Sequence, residues 1–189
     1  MSDSRFKRKH LRSPLPTVAL YQSDCYVFKA HALNISEGGV LLENLPSIPE
    51  ISAIPLLLSL PQFPELSSLS NENVLQVEVN ELEAKVLRVK ARIVRQFEGM
   101  TAVDQIFVTR IGCEFVNVSD DSIFEIKEYV STFAKNTIFL LNLFESHGNN
   151  ESKKTVLRHV AKLLGYDQEQ KLSLLRQKVL HDYQSLESL

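Results

Sequence analysis

Tryptophan is absent, cysteine and methionine occur twice each, and glycine and proline number only six and seven among 189 residues. So little glycine and proline excludes a collagen-like or low-complexity chain. The two cysteines, Cys25 and Cys113, lie far apart and form neither a disulfide framework nor a metal-binding spacing. No apolar run approaches the roughly 18–20 residues that cross a bilayer. Ile54–Leu60 is interrupted by Pro55 and Ser59, and Ile138–Phe144 by Asn142. The first residues lack the apolar stretch of a secretory signal. These absences lead to the expectation of a cytoplasmic protein with no membrane insertion. Catalytic signatures are missing too: there is no G-x-x-x-x-G-K-[ST], G-x-G-x-x-G or G-x-S-x-G. His10, His31, His147, His159 and His181 are scattered without metal-ligand spacing. The expectation is a protein that is not an enzyme and holds no metal or cofactor.

What is present is an ordinary globular composition, 44% hydrophobic and 23% charged, with a net charge of -2. The charge is unevenly spread. Residues 1–12 carry Arg5, Lys7, Arg8, Lys9 and Arg12 against Asp3 alone, so the remainder is acidic. A cationic arm on an acidic body suits an anionic ligand.

The chain divides by pattern into three parts. Residues 1–16 form a basic, proline-ended arm that stays mobile until a ligand holds it. Residues 17–146 begin with strand-like runs at Val18–Tyr21, Cys25–Leu33, Val40–Leu42, Ile54–Leu60, Val74–Val79, Ala84–Val94 and Ile106–Phe115. Turn residues separate them, among them Ser23-Asp24, Glu37-Gly38-Gly39 and Glu98-Gly99. Short strands punctuated this way favour a small antiparallel barrel or sandwich. Cys25 and Cys113 fall within strands, as buried thiols do. Residues 41–84 hold seven Glu and no Lys or Arg, which predicts an acidic barrel face.

From Ser119 the apolar period lengthens to that of a helix. Ser122-Ile123-Phe124-Glu125 has capping-box form, and the helix is expected to run into Ile138–Phe144. A linker at Gly148-Asn149-Asn150 opens a C-terminal extension, residues 147–189. Its first helix ends at Gly165 and its second is capped by Asp167. The leucine stripes of this extension are candidates for self-association into a homo-oligomer or for docking a protein partner.

Two clusters carry chemistry. Arg8-Lys9-His10-Leu11-Arg12 is an R-x-x-x-R pair, and Asn34-Ile35-Ser36-Glu37-Gly38-Gly39 is an N-x-S-x-x-G turn about 20 residues later. Taken in order, they resemble the PilZ domain, the bacterial receptor for cyclic di-GMP, with matches at Arg8, Arg12, Asn34, Ser36 and Gly39. Val40-Leu41-Leu42, Ala91-Arg92-Ile93-Val94-Arg95 and Ile111-Gly112-Cys113-Glu114-Phe115 are similar to later strands of that family. The likeness spans roughly residues 5–135. It implies a mainly β fold: a small antiparallel six-stranded β-barrel and a helix, here followed by an extra C-terminal helical hairpin. Asn34 stands where the family more often has aspartate.

The resemblance implies a cyclic di-GMP receptor with output in motility, attachment or lifestyle switching through an unidentified protein partner. Its ligand contacts would be Arg8, Arg12, Asn34, Ser36 and Gly39, with Arg5 and Lys9 as further candidates. The chemistry is apt. A guanidinium fork fits a phosphodiester or the O6/N7 edge of guanine, and it stacks on the purine. Asn34 and Ser36 donate and accept at such edges. Gly39 permits a positive φ or close approach. Ligand binding would then order the arm.

Plainer alternatives stand beside this. The arginines make a solvated tail, and the turn is an ordinary hairpin. In a second class of function, the chain is a nucleotide-insensitive PilZ-like adaptor acting through its C-terminal helices. Nucleic-acid binding is disfavoured by the acidic body and the absence of tryptophan for base stacking.

Overall fold

A computed structural model describes residues 10–49, 53–100, 107–146 and 151–187. Six strands carry the period-two pattern: β1 (Arg12–Ser23), β2 (Tyr26–Ser36), β3 (Gly39–Glu43), β4 (Ile54–Pro61), β5 (Ala84–Met100) and β6 (Phe107–Val116). They close into a barrel in the order β1-β2-β3-β6-β5-β4, and every pair is antiparallel. Closure gives each strand a neighbour on both sides. Alternate residues fill the interior: Ala19 and Tyr21, Leu56 and Leu58, Val89 and Ala91, Ile111 and Cys113 are all buried. The expected six-stranded barrel followed by helices is the observed fold.

The register explains several departures from the sequence expectations. Arg12–Pro16 belong to β1 rather than to a free arm, because Arg12, Ser13 and Pro14 pair with Ser36, Ile35 and Asn34. The prolines, which cannot donate to a ladder, are accommodated by a register shift between Pro14 and Thr17. Arg5, Arg8 and Lys9 lie outside the described residues, as does the Gly148 linker. Glu98-Gly99 is not a turn, since β5 runs on and pairs both residues with Thr109 and Val108. Cys25 is exposed in the tight β1–β2 connection, beside Asp24 in the left-handed region (φ 53°), while Cys113 is buried.

Val74–Val79 is not a strand. Between β4 and β5 the chain forms a single 3-10 turn at Leu66–Ser68, the short helix α1 (Asn71–Gln76) and a second 3-10 turn at Val79–Glu81. The Ser70 hydroxyl caps α1 by accepting the Asn73 N–H at 3.2 Å. The apolar alternation of Val77-Glu78-Val79 is too short to outweigh that local bonding.

Helix α2 (Asp120–Ser146) is continuous through Ile138–Phe144, as expected. Its cap lies one turn earlier than predicted. Ser119 accepts the Ser122 N–H at 3.3 Å, and Glu125 instead pairs with Lys85 of β5. Helix α3 (Glu151–Leu163) ends in a Schellman turn: Tyr166 N–H reaches Ala161 C=O and Gly165, at φ 84°, reaches Lys162 C=O. Asp167 does not cap α4 (Leu172–Glu187). Its carboxylate accepts the Glu169 N–H in the turn before it.

The chain forms two compact units. One consists of Arg12–Pro61 and Ala84–Val130, the barrel with the first part of α2. The other draws on Gln62–Glu83 and on residues from Ser131 onward. In the second unit the buried Asn136 accepts the Leu66 N–H at 2.8 Å and donates to Pro64 C=O at 2.9 Å. His159 meets Val77 C=O at 3.0 Å. The expected acidic barrel face is therefore not there. Glu65, Glu72, Glu78, Glu81 and Glu83 belong to the second unit, where Glu65 pairs with Lys135 and Glu78 with Lys162.

Candidate functional site

Residues that face one another in an antiparallel ladder share a side of the sheet. Arg12 faces Ser36, Ser36 faces Gly39, and Gly39 faces Glu114. Glu114 in turn faces Arg92, whose guanidinium lies 2.5 Å from its carboxylate. Four of the six strands thus place Arg12, Ser36, Gly39 and Glu114 in one transverse row. Asn34 lies one step along, across from Pro14 on one flank and Leu41 on the other.

A bulge sets the side on which Asn34 falls. Ala30 and Ala32 point into the barrel, and simple alternation would send residue 34 after them. The β2–β3 register shifts between Ala32 and Asn34, so that Leu33 is the extra residue. Beyond it Ile35 takes the core position, and Asn34 joins Ser36 on the other side.

The row has a defined local chemistry. Arg12 is exposed, Asn34 is half-buried and Ser36 is buried at the end of β2. The Ser36 hydroxyl donates to Gly39 C=O at 3.4 Å, and its oxygen keeps its capacity to accept. Gly39 has no positive φ among the described residues. Its need for a hydrogen side chain comes from a neighbour: a Cβ there would stand 2.0 Å from the Cys113 carbonyl oxygen. Of the two expectations for Gly39, the positive φ is not adopted, and the close approach in the structure is that of β3 to β6. Within the turn, Gly38 C=O accepts the Phe115 N–H at 3.0 Å.

Sequence reasoning passed over three residues that brace the row. Glu37 is 3.3 Å from Lys127 of α2. Tyr129 of α2 donates to Pro14 C=O at 2.7 Å. The buried Ser13 hydroxyl reaches Val130 C=O at 3.4 Å. Tyr129 sits in the apolar stripe with Ile126, Val130 and Phe133, so its hydroxyl was hidden in a packing pattern. Burial raises its pKa well above the ordinary tyrosine value, and it remains a donor. Burial also pushes the Cys113 thiol up to about 12, which leaves it protonated and unreactive at neutral pH.

Among the described residues no group of three or more His, Cys, Asp or Glu could hold a metal ion. No helix among them is long and apolar enough to cross a membrane.

Among solved structures, the chain is similar to the Bacillus subtilis inhibitor of motility MotI/DgrA (13% identity, TM-score 0.48). The match covers 66% of this chain and 50% of that one. It is similar to the PilZ domain of YcgR from Escherichia coli with c-di-GMP (12% identity, TM-score 0.45), over 66% of this chain and 89% of that one. The K. pneumonia MrkH–c-di-GMP complex matches at 13% identity and TM-score 0.42, over 76% and 56%. The chain thus spans about half the length of the Bacillus protein. No curated protein matches it. The model of the PilZ domain matches residues 6–132, a span that holds all six strands, the transverse row and the start of α2, and the chain therefore belongs to the PilZ domain family.

Proposed function

We propose that this protein is a receptor for cyclic di-GMP that reads the nucleotide at the corner where β1, β2 and β3 meet. The observation that carries this is the transverse row. Arg12, Ser36 and Gly39, separated in sequence, stand face to face across three strands, with Asn34 beside them. These are also the positions at which the sequence resembles the family's R-x-x-x-R and N-x-S-x-x-G motifs.

A dianionic ligand with two guanine edges needs a cationic fork and a neutral polar wall. Arg12 supplies the fork from the barrel itself. Its backbone is held in β1 by pairing with Ser36, which lowers its share of the ordering cost. Arg8, from the preceding segment, supplies the second fork, and Arg5 and Lys9 add positive charge. Each residue fixed on binding costs about 1–2 kcal/mol of conformational entropy. Charge-assisted hydrogen bonds worth roughly 1.5–3 kcal/mol each offset that for a few residues. Asn34 and Ser36 form the opposite wall. Ordering of the segment before Arg12 changes the surface offered to a protein partner, and the output is regulatory.

Calorimetric titration of the full chain with cyclic di-GMP tests this. Saturable binding at micromolar concentration or tighter is expected. Arg8→Ala and Arg12→Ala should abolish it, and Lys7→Ala should retain it. No heat with the wild-type chain overturns the proposal.

A second function is favoured by one observation. On α4, Leu174 is 48% and Leu180 38% exposed. Apolar side chains left in water on a terminal helix suit docking to a protein partner. Loss of partner capture on replacing both with Gln, indifferent to added nucleotide, would mark an adaptor rather than a receptor.

A further inference from the structure

Helix α2 is fastened to β1 and to the β2–β3 turn, and each fastening falls inside the site's own segments. The Tyr129 hydroxyl holds the Pro14 carbonyl at 2.7 Å. Pro14 stands directly across from Asn34 and two positions from Arg12. Its carbonyl lies where the β1–β2 register breaks, between Pro14 and Thr17. A side-chain donor there steadies a stretch of strand that the ladder serves poorly. Next to Tyr129, Val130 C=O accepts from the buried Ser13 hydroxyl. One turn earlier, Lys127 pairs with Glu37 at 3.3 Å, and Glu37 lies in the turn between Ser36 and Gly39. Within one turn of the helix, Lys127, Tyr129 and Val130 therefore grip β1 on one side of the row and the β2–β3 turn on the other.

We propose that Tyr129 and Lys127 are positioning residues that couple occupancy of the nucleotide site to the order of helix α2. The inference rests on the functional reading above and adds its route of regulation. Tyr129 fixes the depth of the start of β1, and with it the place from which Arg12 reaches. Lys127 answers to charge. A dianion seated beside Ser36 adds negative potential next to Glu37, and Lys127 is the cation of α2 placed to feel it. Helix α2 continues unbroken to Ser146, so order imposed at residues 127–130 is order within one cooperative element. The coupling runs both ways: whatever steadies α2 raises affinity at the row by the same factor.

Hydrogen exchange on the full chain, with and without cyclic di-GMP, tests this in the wild type, Tyr129→Phe and Lys127→Met. In the wild type the nucleotide should slow exchange both at residues 34–39 and along 120–146, by about threefold or more. Tyr129→Phe keeps the ring and loses the donor. It should weaken binding roughly fivefold, preserve the slowing at 34–39 and lose it along α2. Lys127 is 54% exposed, so Lys127→Met does not threaten folding and carries the same test if Tyr129→Phe fails to fold. Slowing at 34–39 with none along α2 in the wild type overturns the coupling and leaves the receptor intact. Equal slowing of α2 in wild type and both variants also overturns it. No slowing anywhere, with no heat of binding, overturns the receptor itself and the coupling with it.

Discussion

The two units of this protein hold their polar residues by different means. In the barrel unit, Arg12, Ser36, Gly39 and Glu114 are placed by strand register, a property of the whole ladder. In the other unit, the segment Gln62–Glu83 is held by a few side chains that reach its backbone. Asn136 binds both Leu66 and Pro64, and His159 meets Val77. Register distributes its tolerance, so one altered side chain leaves the row standing unless it obstructs two strands from meeting. Side-chain anchoring concentrates it, so one lost amide frees a segment. The proposed ligand site lies in the register-held unit, where rigidity favours a fixed wall.

The largest test of this contrast is Gly39→Ala. Its Cβ would lie 2.0 Å from the Cys113 carbonyl oxygen, which is backbone and cannot swing aside. We expect about 3 kcal/mol or more of destabilisation in urea unfolding. Gly112→Ala meets the Arg95 Cβ at 3.6 Å and the Arg95 carbonyl oxygen at 3.9 Å, ordinary contacts, and should stay within about 0.5 kcal/mol. Equal effects at the two glycines would break the claim that close strand approach governs the corner.

Asn136→Ala comes next. It leaves the Leu66 N–H and the Pro64 C=O without their partner and should cost about 2–3 kcal/mol. Hydrogen exchange should quicken in residues 62–83 while residues 34–39 exchange as in the wild type. Quickened exchange at 34–39 would erase the distinction between the units.

Titration of the Cys113 thiol at alkaline pH gives the smallest effect and reads the barrel. The buried Cys113 thiol has its pKa raised from 9.0 to about 12. The unfolded chain releases this proton first, so the native state binds more protons between those values and stability falls as pH rises. The contribution is complete below pH 9 and lost by about pH 12. Its slope is at most about 1.4 kcal/mol per pH unit. Thermal unfolding between pH 8 and pH 9 should show a shallower decline in Cys113→Ala than in the wild type.

These contrasts also account for what was legible beforehand. The barrel announced itself because period two persists over long strands such as β4 and β5, and Arg12, Asn34, Ser36 and Gly39, named together from the sequence, lie on neighbouring strands. Register was not legible. Nothing local says that Arg12 pairs with Ser36, so Arg12 was assigned to the arm. Nor does anything local say that Leu33 bulges and turns Asn34 to the same side as Ser36. The reason for Gly39 lies on β6, far along the chain. In the other unit the failure ran the opposite way. Val77-Glu78-Val79 alternates like a strand, but the Ser70 cap and two 3-10 turns govern that stretch. The α2 cap was placed at Ser122 because a hydroxyl and Glu125 have the right spacing, whereas Ser119 makes the bond. Tyr129 was not singled out, since a sequence does not show where a hydroxyl points.

The central claim is tested most directly by following backbone amide resonances during titration with cyclic di-GMP. The account predicts that the largest shifts fall on Arg12 and on Asn34 through Gly39, with residues 62–83 unmoved. Shifts concentrated in residues 62–83 or in α3 and α4, with the amides of Asn34 to Gly39 still, would contradict it.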